Sequence, residues 1–166
     1  RKNVMWIVTS HSVKGYRTQD LKLIAHSPVQ SYPITSFLLD GHQLYLSGYN
    51  GMQLFDTNTR KWQHLPVALQ GLQIPNDIVN CIHPYGAQGN LLLSTTKHGL
   101  FYFNAQEGTI LPQSDKNFPF EVPDMQVNKM LTDSKGNLWL GSEDDGVKTI
   151  YRYKDMFNSM PALQRA

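Results

Sequence analysis

One sentence is written three times along this chain. Asn137-Leu138-Trp139-Leu140-Gly141-Ser142, three acidic residues, then Gly146-Val147-Lys148-Thr149-Ile150-Tyr151 reads as strand, tight turn, strand. The same phrase runs from Gln43-Leu44-Tyr45-Leu46-Ser47-Gly48 through Tyr49-Asn50 to Gly51-Met52-Gln53-Leu54-Phe55-Asp56. It returns from Asn90-Leu91-Leu92-Leu93-Ser94-Thr95 through Lys97-His98 to Gly99-Leu100-Phe101-Tyr102-Phe103-Asn104. The glycine opening each second strand sets the period: 51 to 99 is 48 positions, and 99 to 146 is 47. A weaker copy opens the chain, where Met5-Trp6-Ile7-Val8-Thr9 matches Leu44 to Gly48 and Ser12-Val13 stands for Gly51-Met52.

A period in this range is that of a four-stranded propeller blade, about 40 to 50 residues. Each pair extends on both sides. Inner strands are predicted at Ile34 to Leu39, Ile78 to His83 and Val127 to Thr132, and outer strands at Lys61 to Leu65 and Thr109 to Pro112. All joints within a unit are of hairpin length, so each is an antiparallel meander. The predicted fold is all-β, a partial β-propeller of about three and a half to four blades. The approximate blades are 1–30 (incomplete), 31–74, 75–123 and 124–166 in a single segment. Glycines 51, 99 and 146 are structural: either a side chain there meets a neighbouring blade or the turn demands a left-handed residue, and Gly136 serves the hairpin before Asn137.

Composition removes several functions. Fifteen lysines and arginines against 13 acidic residues leave a charge of +2, too little for nucleic-acid electrostatics. The apolar runs reach four or five residues against the eighteen or so of a spanning helix, so this segment makes no helical membrane contact. A single cysteine, Cys81, excludes an internal disulfide framework and a multi-thiolate zinc site. The first residues carry no initiator methionine and no signal pattern, which reads as a piece cut from a longer protein.

The run Leu131-Thr132-Asp133-Ser134-Lys135-Gly136-Asn137-Leu138-Trp139-Leu140-Gly141-Ser142, with Gly146-Val147, closely resembles the two-component regulator propeller repeat. In words, that repeat is an inner strand ending in aspartate, a glycine-asparagine turn, leucine-tryptophan-isoleucine-glycine-threonine, a short turn, and glycine-leucine. The middle units depart from it: Leu92 and Tyr45 replace the tryptophan, and one turn widens to Pro84-Tyr85-Gly86-Ala87-Gln88-Gly89. The resemblance implies a periplasmic, ligand-sensing segment of a hybrid two-component sensor, whose full-length parent is a histidine kinase responding to oligosaccharides released from a polysaccharide. It implies no cofactor, and it carries over no ligand residue.

Catalytic signals are sparse. Cys81 and His83 share a strand face, the spacing of a nucleophile and base, yet the repeat register sets Cys81 level with Phe37 and Met130, which favours a buried thiol. Six histidines are dispersed without the i, i+4 pairing of a helical metal site, so no metal is expected. Trp6, Tyr45 and Trp139 recur at one register position, the mark of packing between blades. The exposed candidates are the turns between second and third strands: Tyr49 and Asn50, Lys97 and His98, and Glu143, Asp144 and Asp145, joined by Gln73, Asn76 and Asp124 from the inter-blade loops. An aromatic ring with amides and carboxylates suits the C–H faces and hydroxyls of a sugar. The rivals are a protein-binding propeller scaffold using the same loops, and a propeller lyase or hydrolase with His98 or His83 as base. The tail, Asn158-Ser159-Met160-Pro161-Ala162-Leu163, lacks the alternation of a closing strand, so an open arc is expected, or two copies joined through exposed blade flanks.

Overall fold

The computed structural model describes residues 3–29, 33–49, 51–70 and 77–151. Asn50, Gln73, Asn76 and the tail considered for ring closure lie outside them. The described residues form four antiparallel sheets in succession. The first is β1 (Val4–Val8), β2 (Ser12–Arg17) and β3 (Leu23–Pro28). The second is β4 (Ile34–Asp40), β5 (Gln43–Gly48), β6 (Gly51–Asp56) and β7 (Lys61–Gln63). The third is β8 (Val79–Pro84), β9 (Leu91–Thr95), β10 (Gly99–Asn104) and β11 (Thr109–Pro112). The fourth is β12 (Lys129–Thr132), β13 (Leu138–Gly141) and β14 (Val147–Ile150). The all-β propeller-blade architecture read from the repeat is what the chain adopts. A single helical turn, α1 (Val67–Gln70), interrupts it and buries Leu69.

The central strands β5 and β9 are buried on both faces, and the pairing shows why. Leu44 and Leu46 of β5 face the first sheet with Phe55, while Tyr45 faces the third sheet with Leu54. In β9, Leu91 and Leu93 turn back to the second sheet and Leu92 forward to the fourth. In β13, Leu138 and Leu140 turn back to the third sheet. The strand period of two thus becomes a stacking rule: odd and even residues of one strand belong to two different cores. Three apolar clusters, one between each successive pair of sheets, follow from it. No such cluster among the described residues joins the first sheet to the fourth.

The same rule predicts the two outer faces. Met5 and Ile7 of β1 stand where Leu44 and Leu46 stand in β5, and they are 42% and 39% exposed. Trp139 stands where Tyr45 and Leu92 stand; with Leu131 and Val147 on the same face it is 39% exposed. Of the three register-matched aromatics, Trp6 and Tyr45 pack between sheets, whereas Trp139 lies on the free flank.

Of the two reasons offered for the repeat glycines, the left-handed turn is the one the structure shows; an added Cβ at Gly146 would meet nothing. Gly51, Gly99 and Gly146 all have positive φ, between 73° and 88°. At Gly99 an added Cβ would also collide with the Gln113 side chain, whose Oε1 accepts the Leu100 N–H at 2.7 Å. Ser12 escapes the requirement, since Leu21 and Arg60 are the non-glycine residues of positive φ among those described. Its turn is closed instead by Thr9 Oγ1, which accepts the Ser12 N–H at 3.0 Å.

One register expectation is corrected. Cys81 pairs with Ser94, and Ser36 pairs with the equivalent Ser47, so Cys81 is level with Ser36 and Lys129, not with Phe37 and Met130. The cause is the hairpin: Pro84 pairs with Leu91 as Leu39 pairs with Leu44, one position off an alignment of Ile78 with Ile34, and both strands also carry a bulge, at Val79/Cys81 and at Ile34/Ser36. These bulges free backbone groups to bond across sheets: Ile82 N–H donates to Ser36 Oγ at 3.2 Å, and Ser47 Oγ donates to Val79 O at 3.1 Å.

Candidate functional site

Among the described residues, Tyr49, Lys97, His98, Glu143, Asp144 and Asp145 share one end of the sheets, because second-to-third strand turns of successive meanders emerge on the same side. Tyr49 is 55% exposed there. Lys97 and His98 are fixed by a residue the sequence reading passed over, Asp77. Its Oδ1 accepts the Lys97 N–H at 3.0 Å and the Ile78 N–H at 2.7 Å, and its Oδ2 lies 2.6 Å from His98 Nδ1. Burial pushes the Asp77 carboxyl up, but the His98 and backbone hydrogen bonds outweigh it and hold the group below the usual carboxylate range. The pair orients an imidazole as a catalytic dyad would. Among the described residues, however, no hydroxyl or thiol is hydrogen-bonded to the other His98 nitrogen.

Glu143, Asp144 and Asp145 are a solvated turn. Ser142 Oγ accepts the Asp144 and Asp145 N–H groups at 3.3 and 3.2 Å, and Ser142 N–H donates to Gly146 O at 2.8 Å. No three His, Cys, Asp or Glu side chains among the described residues cluster closely enough to hold a metal ion. Among the described residues, no candidate of one turn is hydrogen-bonded to a candidate of another. Asp124 offers its backbone carbonyl to Lys148 Nζ at 3.2 Å.

Cys81 and His83 do share a face, as their spacing requires, but they do not act on each other. Burial raises the Cys81 thiol above its ordinary value, opposite to an activated nucleophile. His83 Nε2 is 2.8 Å from Thr132 Oγ1 of the fourth sheet. Burial lowers the His83 pKa, which leaves a neutral ring with one donor and one acceptor at neutral pH.

His83 and Thr132 lead to a concavity on the opposite end of the sheets, where inner-to-second strand turns emerge. A cleft of about 1020 Å³ opens there between the third and fourth sheets. Tyr85 and Gln88 of the widened turn line it together with Phe120 and Glu121 of the loop before the fourth sheet, and the Tyr85 and Phe120 rings lie 5.5 Å apart. The readable signal is the departure itself: where Gly41 and His42 alone join β4 to β5, this turn has grown an aromatic and two left-handed glycines, Gly86 and Gly89.

The fold and its repeat define the class: these are propeller blades. Residues 121–144 match the family model of the two-component regulator propeller. Over 90% of its length the chain matches the extracellular domain assigned to the hybrid two component system BT4673 from B. thetaiotaomicron, at 16% identity and a TM-score of 0.63. The corresponding domain assigned to BT3049 of the same organism matches over 92% of the chain, at 17% identity and a TM-score of 0.65. The chain spans 20% and 21% of those two structures, so it is about a fifth of what it resembles. The computationally designed Ika4 protein shares the fold at 11% identity and a TM-score of 0.59, with 86% of its own length covered. No curated protein matches the chain.

Proposed function

We propose that this chain is a ligand-sensing, non-catalytic segment of the extracytoplasmic region of a hybrid two-component sensor, and that its ligand is an oligosaccharide released from a polysaccharide. The observation that carries the reading is a two-component regulator propeller repeat on a fold shared with extracellular domains of hybrid two component systems. No helix among the described residues is long and apolar enough to cross a membrane, in keeping with a domain displayed in the periplasm.

The two flanks give such a segment its means of transmission. Trp139, Leu131 and Val147 offer an apolar face to a following blade, and Met5 and Ile7 offer one to a preceding blade. Ligand binding that shifts one sheet against the next is passed on through these faces to further blades. The experiment is a thermal-shift screen of the intact chain against oligosaccharides from digests of diverse polysaccharides. Saturable stabilisation by one glycan class supports the reading. Stabilisation by none, with capture of a defined protein partner, would turn it into a protein-binding scaffold.

A further inference from the structure

We propose that the cleft between the third and fourth sheets is the glycan site, and that it takes an uncharged oligosaccharide lying across His83 and Thr132 with its rings against Tyr85 and Phe120. The inference rests on the sensing reading for its ligand class and adds to it a place and a charge.

Four observations meet in this cleft. Its volume, about 1020 Å³, is of the size that sites for small organic ligands have. Its aromatic wall is held in place from behind: Tyr85 packs at 5.5 Å on Phe120 and at 6.1 Å on Tyr102, and Phe118 packs on both Phe120 and Tyr102. A ring so braced presents a fixed surface to the C–H face of a sugar and loses little freedom on binding. The polar partners bridge two sheets, since His83 belongs to β8 and Thr132 to β12, so a chain bonded to both reads the distance between adjacent blades. Most of this wall comes from the widened turn, which closes a hairpin no better than two residues would.

Charge selects among glycans. Asp40 and Glu121 line the cleft, and no lysine or arginine does so among the described residues. A neutral imidazole, a hydroxyl and an amide bond to hydroxyls, whereas two carboxylates repel sulfate or uronate groups. The turns on the other end combine Lys97 with the carboxylates of Glu143, Asp144 and Asp145, and Tyr49 there serves as the control position.

The test is calorimetric titration of the intact chain with matched neutral oligosaccharides (gluco-, manno-, xylo- and galacto-) and uronate-containing or sulfated ones. Three variants accompany it. Thr132→Val keeps shape and removes the hydroxyl, the pair Gln88→Ala and Glu121→Ala strips two exposed cleft residues, and Tyr49→Ala probes the opposite end. Thermal melting checks that each variant is folded. The expected result is binding of a neutral oligosaccharide, weakened at least tenfold by either cleft change and unaltered in Tyr49→Ala. Three outcomes overturn the cleft and leave the sensing reading standing: unaltered affinity in both cleft changes, loss of affinity in Tyr49→Ala instead, or binding of anionic glycans alone. Binding of no glycan of either kind overturns the sensing reading and the cleft with it.

Discussion

Asp133 shows how much of a repeat motif is local hydrogen bonding. Its Oδ1 accepts the Lys135 and Asn137 N–H groups at 2.9 Å each, and its Oδ2 accepts Asn137 Nδ2 and Trp139 Nε1 at 3.0 Å each. The Trp139 indole and these turn bonds hold the carboxyl down to about 2. An unfolded aspartate titrates at about 3.9, so the ionised turn favours the folded state above that pH, and the contribution is lost as pH falls through the folded value. In thermal melts, the advantage of the wild-type chain over Asp133→Asn therefore shrinks between about pH 4 and pH 2. A constant difference across that window means the carboxylate does not organise the turn. Gly99 makes a second residue-scale prediction. With φ at 74° and Gln113 against its α-carbon, Gly99→Ala costs about 1 kcal/mol or more in urea unfolding, and Ser12→Ala lacks that strain.

At the scale of strands, alternation within β5, β9 and β13 decides which core each residue enters. Leu93 is fully buried between the second and third sheets, so Leu93→Ala removes stability of about 2 to 5 kcal/mol in denaturant unfolding. This level was legible before any coordinates, because the strand pairs and their glycines recur at a nearly constant period. What escaped was the register of the inner strands. Apolar residues alone do not align these strands: Pro84 pairs with Leu91 as Leu39 pairs with Leu44, so Cys81 falls level with Ser36 and not with Phe37. The candidate site was legible only in part for a related reason. Tyr49 and the acidic turn are exposed as their composition indicates, but Asp77 sits in an inter-blade loop and meets His98 only in three dimensions. The cleft was written as a departure from the repeat, and departures have no template to be measured against.

Across the whole molecule, the chain is a stack whose ends are as apolar as its joints. Leu140 and Val147 belong to the same sheet, yet Leu140 is fully buried and Val147 is 65% exposed, because a neighbour covers one face and not the other. Substitution by lysine separates them. Leu140→Lys is expected to unfold the chain, while Val147→Lys changes its stability by no more than about 0.5 kcal/mol, as ordinary surface positions do. Equal damage from both would mean that the flank is covered in the isolated chain. Stacked sheets also suit the proposed sensor, since a ligand bridging β8 and β12 would alter the spacing that every further blade must match. The most direct measurement of that account is hydrogen exchange of the intact chain with and without a saturating oligosaccharide. Protection of β8, β12 and the turn at 84–89 is predicted, extending to the flank strand β14. Unchanged exchange throughout, for every glycan offered, would contradict it.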